Sequence, residues 1–139
     1  MNDIIEKCPF CNIDKTKLEN TILNETKYFY ITPSLGALTD GYILIITKRH
    51  VNSMSELMID EMEEYKILIR KYREIFKKVY QKYPIVFEHG TPNLKDSINA
   101  NSVNHAHTHI VNHNYKNENI LIEKLKLNRI DKLESMLWN

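Results

Sequence analysis

Cysteine, glycine, proline and tryptophan are scarce in this 139-residue chain, which holds two, three, four and one of them. Two cysteines exclude a disulfide-built scaffold, and so few glycines and prolines leave no linker, low-complexity tract or repeat at which to place a domain boundary. An excess of charge is also lacking: Lys and Arg total 19 against 18 Asp and Glu. The balance holds along the chain, with six basic and six acidic residues in 1–51, seven and six in 52–83, and six of each in 84–139. No segment is therefore basic enough to read as a nucleic-acid footprint or a membrane-surface patch. A run of ~18 apolar residues, the length that a membrane-spanning helix needs, is absent. The first residues, Met1-Asn2-Asp3-Ile4-Ile5-Glu6-Lys7, lack the apolar core of a secretory signal, so the expected address is the cytoplasm. At 16.5 kDa, 42% hydrophobic and 27% charged, residues 1–139 read as a single folded domain.

Two concentrations of chemistry stand on this plain background. The cysteines are three apart, Cys8 and Cys11, and five of the six histidines lie between residues 89 and 113. The β-branched and aromatic runs 27–32 and 42–47, separated by Pro33 to Gly41, read as strand, loop and strand. Residues 84–89 and 105–112 are two further strand candidates. A long helix is expected between about 55 and 83, because Met58, Met62, Tyr65, Ile69, Tyr72, Phe76, Val79 and Tyr83 recur at steps of four and three. Its acidic start and basic end suit the helix dipole. Ser53 to Glu56 and Asp60 to Glu63 both have capping-box spacing, which leaves two possible starts. A second, weaker helix is expected over 117–137. Strands, a long helix and strands again give an α+β domain with a mainly antiparallel sheet.

In the segment His105-Ala106-His107-Thr108-His109-Ile110-Val111, extended backbone would send all three imidazoles to one side of the sheet. Such a file can be a polar surface, can share one metal ion, or can divide several tasks among its members. Two residues between Cys8 and Cys11 suit either a shared metal ion or a redox pair; an inert pair is the third reading.

The segment resembles the signature of the histidine triad family of nucleotide hydrolases and transferases, in which three histidines alternate with apolar residues. Thr108 departs from the apolar pattern. The resemblance extends over Cys8-Pro9-Phe10-Cys11, then Gly41-Tyr42-Ile43-Leu44-Ile45-Ile46-Thr47-Lys48-Arg49-His50-Val51, the long helix, and Phe87-Glu88-His89-Gly90, in the family's order. It implies a HIT-like fold in which His107 attacks the α-phosphorus of a nucleotide and forms a nucleotidyl-histidine intermediate. A neutral imidazole is a competent nucleophile near neutral pH, provided its other nitrogen has an acceptor. By the same match His109 hydrogen-bonds the phosphate or leaving-group oxygen, and Asn101 and Ser102 contact the phosphates. Zinc-bearing, bacterial-type members imply a structural zinc ion held by Cys8, Cys11, His50 and His105.

The resemblance also implies an acidic residue for the ribose hydroxyls at the end of the first strand, where Ile31-Thr32-Pro33 offers none. Asp40 lies in the loop that follows. The stretch 91–100 reads as a flap carrying Lys95; neither His89 nor His113 is expected to be catalytic, His89 being placed at the pocket lining and His113 read as an ordinary polar residue after the strand. Since the uridylyltransferase-like branch replaces the last histidine by glutamine, His109 favours hydrolysis of a dinucleoside polyphosphate or a nucleoside phosphoramidate. Nucleotidyl transfer, a non-catalytic nucleotide-binding zinc protein, and a metal site built on all three histidines are the alternatives. The resemblance further implies a homodimer that uses the long helix and neighbouring strands. Trp138 is assigned to the core, to the dimer contact or to the neighbourhood of the pocket.

Overall fold

The computed structural model of the protein describes residues 2–17, 21–34, 37, 39–88 and 103–113. A short helix α1 (Asn2–Lys7) leads into the cysteine pair. Strands β1 (Asn24–Glu25), β2 (Phe29–Pro33) and β3 (Ile43–Thr47) follow, then helix α2 (Ile59–Tyr80) and strands β4 (Ile85–Glu88) and β5 (His107–Val111). The strands form one five-stranded sheet in the order β1-β2-β3-β5-β4, and every neighbouring pair is antiparallel. This is the α+β architecture expected from the sequence.

Register decides which face each side chain joins. Ile45 pairs with Ile31 on one side and Thr108 on the other, while Ile46 pairs with Tyr30 and His107. Alternation along the strands then sends Ile31, Ile43, Ile45, Thr108 and Ile110 to one face, and Tyr30, Thr32, Leu44, Ile46, His107 and His109 to the other. The first face packs on α2: Phe29, Ile31, Ile43, Ile45 and Ile110 form one buried cluster with Tyr65, Leu68, Ile69 and Phe76. A fully buried isoleucine or phenylalanine contributes ~1.5–3 kcal/mol, so this layer is the main hydrophobic source of stability. The second face carries the histidines.

The long helix differs from its expected span at both ends. The Ser53–Glu56 capping box is real, but it closes a separate 3-10 turn, Met54–Glu56. The α-helix starts at Ile59, where the Glu61 carboxylate accepts from Met58 N at 2.8 Å. It ends where Gln81 takes the left-handed conformation (φ 59°). Two ends of the predicted stripe are thus outside the helix, and Met58, Val79 and Tyr83 are exposed. Ile59, Ile67 and Ile75 are exposed as well. No helix among the described residues is long and apolar enough to cross a membrane. The expected second helix over 117–137, the 91–100 flap with Lys95, His89 and Trp138 lie outside the described residues.

Candidate active site and metal centre

The N-terminal segment delivers the thiols by a knuckle that closes on itself. Cys8 N donates to Ile5 O and Asn12 N to Cys8 O, each at 3.2 Å. The two N–H groups of the Asn12 side-chain amide are shared among Ile5 O, Glu6 O and Cys8 O at 2.8, 3.1 and 3.0 Å, which ties the knuckle to the end of α1. Cys8 and Cys11 are both free thiols. They follow a helix rather than opening one, which is the wrong placement for a thioredoxin-like pair.

Against this knuckle come two histidines from distant parts of the chain. Cys11 Sγ is 3.2 Å from His50 Nδ1, and His105 Nδ1 is 3.4 Å from Cys8 Sγ and 3.5 Å from Cys11 Sγ. One donor atom from each of Cys8, Cys11, His50 and His105 lies within 4.8 Å of every other, so the four can hold a metal ion. The chemistry of the donors fits one. His105 Nε2 is 2.7 Å from the Thr47 carbonyl oxygen, which can only accept, so the proton is on Nε2 and the Nδ1 lone pair faces the sulfurs. Burial, with smaller contributions from His50 and His107, pushes the His105 imidazole down to about 4, and so keeps it neutral. Burial and the neighbouring Cys8 thiol push Cys11 up to about 11, so a cation is needed to draw off its proton.

His105 precedes β5 in a bend, and its ring turns to the thiols instead of continuing the file of the other two. The expectation of a strand over 105–112 is corrected here: the strand proper begins at His107 and ends at Val111. Among the described residues, His105 alone of the three histidines belongs to the metal-capable group.

The His105 carbonyl oxygen lies 2.7 Å from His107 Nδ1. A carbonyl only accepts, so Nδ1 of His107 carries the proton and its Nε2 carries the lone pair. This is the acceptor that the sequence could not identify. His105 therefore faces the metal-capable group with its ring and orients its neighbour with its backbone. The rings of His107 and His109 are 4.7 Å apart, centroid to centroid. Phe10, between the two cysteines, stands edge-on to His105 at 5.7 Å and to His107 at 5.2 Å. His109 stacks on Phe87 (4.6 Å, 6° between planes), and its Nδ1 is 2.8 Å from the Tyr42 hydroxyl.

On the same sheet face, the rung containing His109 and Leu44 ends at Thr32, which offers no carboxylate, while the rung containing His107 and Ile46 runs through Tyr30 to Glu25 on the edge strand. Lys48 and Lys15 lie over the Tyr30 ring, and Glu25 pairs with both lysines. Asn101 and Ser102 lie outside the described residues. His113, read from sequence as an ordinary polar residue, is buried just beyond β5. The residues that sequence reasoning missed are Phe10, Asn12, Tyr42, Thr47 and Phe87. A signal existed for one of them: Tyr42 puts a polar tip at the mouth of an apolar strand.

Comparison with known proteins gives a consistent relationship. An uncharacterised HIT-like protein of Methanocaldococcus jannaschii is 25% identical over 105 residues, covering 75% of this chain and 77% of its own. Among solved structures, a HIT family protein of Bacillus anthracis matches with TM-score 0.63 and 17% identity over 96% of this chain and 87% of that one. A Plasmodium falciparum diadenosine triphosphate hydrolase matches with TM-score 0.58 and 18% identity, over 77% and 82%. At such identities these structures speak for the fold. The sequence description of the HIT domain matches residues 15–115, most of the chain and the whole of the sheet, and the protein belongs to the HIT domain family.

Proposed function

We propose that the protein is a nucleotide hydrolase that cleaves a phosphoanhydride or phosphoramidate bond at an α-phosphorus through a nucleotidyl-histidine intermediate. The observation that carries this reading is the 2.7 Å hydrogen bond from His107 Nδ1 to the His105 carbonyl, which puts the nucleophilic lone pair on Nε2. Nε2 attacks phosphorus as the bond to the leaving group breaks and its electron pair goes to the leaving oxygen or nitrogen. His109 hydrogen-bonds the phosphoryl or leaving-group oxygen. Water then cleaves the P–N bond and returns His107 to its starting state. Asn101 and Ser102 are assigned to the phosphates from the family resemblance. A dinucleoside polyphosphate or nucleoside phosphoramidate is the proposed substrate class, in keeping with the diadenosine triphosphate hydrolase among the structural relatives.

Zinc is the proposed occupant of the Cys8, Cys11, His50 and His105 group, because two thiolates and two imidazoles suit a tetrahedral, redox-inert ion. Bound there, it supplies structure rather than Lewis-acid chemistry: it fixes the knuckle and the His105 backbone against which His107 is oriented. A homodimer is proposed as well, from the family resemblance, with α2 and its neighbouring strands at the interface; Ile59, Ile67, Ile75 and Val79 of α2 are exposed apolar residues. Sedimentation at micromolar concentration would give twice the chain mass; a monomer removes this part of the reading.

The deciding experiment is intact-protein mass spectrometry after brief mixing with diadenosine tetraphosphate or an adenosine phosphoramidate, quenched under conditions that preserve a P–N bond. A gain of one nucleotide in the wild type and none in His107→Ala, with product released, is expected. No adduct and no turnover across a broad nucleotide panel would favour the non-catalytic nucleotide-binding alternative.

A further inference from the structure

We infer that Tyr42 is a positioning residue for the proposed reaction, one that decides which nitrogen of His109 faces the substrate and holds it as Nε2–H. The inference rests on the roles given to His107 and His109 above. Stacking on Phe87 fixes the plane of the His109 ring, with 6° between the planes at 4.6 Å. It does not fix which ring edge carries which nitrogen, because a phenyl face hardly distinguishes an imidazole from its own image turned by 180° in the plane. The Tyr42 hydroxyl does, by lying 2.8 Å from Nδ1.

The direction of this hydrogen bond follows from the two groups themselves. The backbone beside Tyr42 is tied to the preceding strand, Ser34 N donating to Tyr42 O at 3.0 Å. Burial keeps the Tyr42 phenol above its ordinary value, hence protonated near neutral pH. A phenol is a far better donor than a neutral imidazole N–H, and an imidazole nitrogen is a better acceptor than a phenol oxygen. The proton therefore lies on Tyr42, Nδ1 of His109 accepts, and Nε2 is left as the N–H. Tyr42 thus leaves His109 with an N–H on the same sheet face as the His107 lone pair. One imidazole presents an electron pair and the other a proton, as attack and charge stabilisation on one phosphoryl group require.

Long-range ¹H–¹⁵N NMR of the histidines in the full-length protein, at about pH 8.5 where an ordinary imidazole is neutral, reads this arrangement directly. His109 is identified by its disappearance in His109→Gln. The wild type is expected to show Nδ1 unprotonated and Nε2 protonated; the opposite assignment overturns the inference. Tyr42→Phe keeps the ring and removes the hydroxyl, and the Nδ1 resonance should shift toward that of a nitrogen without a donor. An unchanged Nδ1 resonance is the second overturning result. In turnover of an adenosine phosphoramidate, Tyr42→Phe should lower kcat by roughly 10- to 100-fold with little change in KM, the signature of a misaligned group acting mainly in the transition state. An unaltered kcat counts against the inference. If the wild type turns over no nucleotide, the proposed function fails, while the NMR assignments still decide the role of Tyr42.

Discussion

Thr108 separates the two catalytic candidates and carries a hydroxyl into the face that packs on α2. The hydroxyl is 2.7 Å from the Tyr65 hydroxyl, with Thr108 1% and Tyr65 7% exposed. Burial pushes the Tyr65 phenol up to about 12, so the contact joins two neutral hydroxyls. Each is tolerated because the other is there. Thr108→Val should cost ~1–3 kcal/mol in urea unfolding by leaving the Tyr65 hydroxyl buried and unsatisfied, and adding Tyr65→Phe should recover most of it. Independent, additive losses would show that the two hydroxyls are not a unit. The sequence made the departure at Thr108 visible but not its partner, which is 43 positions away. The same limit applies to Tyr42 and Phe87 around His109: a side chain's type is legible, whereas its neighbour across a sheet is set by register. His105 shows a further limit, since spacing along a strand implies one common face only where the backbone is already a strand.

Among the elements, α2 was legible in its middle and ambiguous at its start, because two capping spacings competed. The structure uses the first for a 3-10 turn and starts the α-helix on Glu61, whose carboxylate has two employers. It accepts from Met58 N at 2.8 Å, and from Arg49 Nε and Nη2 at 3.0 and 2.7 Å. Arg49 Nη2 also donates to Glu56 O, so one buried carboxylate links the end of the turn, the start of the helix and the residue before His50. Hydrogen bonding from Arg49 holds the Glu61 carboxyl below its ordinary range against the opposing effect of burial. A depressed carboxylate contributes its stability fully above the unfolded value of about 4.3 and loses it as pH falls through the folded value. Glu61→Gln should therefore destabilise the protein by ~1–3 kcal/mol near pH 7, and by progressively less below about pH 4. Urea titrations of both proteins across that range check the sign, and a difference that grows on acidification would contradict it. The strands were easier to read, because 27–32, 42–47 and 84–89 are β-branched and aromatic between turn residues. Their order in the sheet was not legible, since a pairing such as Ile45 with Thr108 joins distant segments.

At the scale of the whole molecule, the metal-capable group is what ties the chain's beginning to its histidine strand. Cys8 and His105 are 97 positions apart, and Cys11 and His50 are 39 apart. A bond network of this span closes long loops, so whatever occupies it stabilises the native state by its full difference in affinity for the folded and unfolded chains. These four residues were reached through the family resemblance, with the cysteine spacing as support; no local pattern brings His50 to Cys11. The proposed zinc site then makes a prediction that separates ligands from catalytic candidates. The purified protein should carry one zinc ion per chain by elemental analysis, lose it in Cys8→Ala and His105→Ala, and keep it in His107→Ala. Chelation should lower Tm and expose the segment around Cys8 to proteolysis, and acidification should weaken binding because protons compete for both thiolates and imidazoles. Retention of zinc in Cys8→Ala together with its loss in His107→Ala would move the metal onto the strand histidines. His107 could not then offer Nε2 to phosphorus while serving as a ligand, so the same result would also remove the proposed nucleophile.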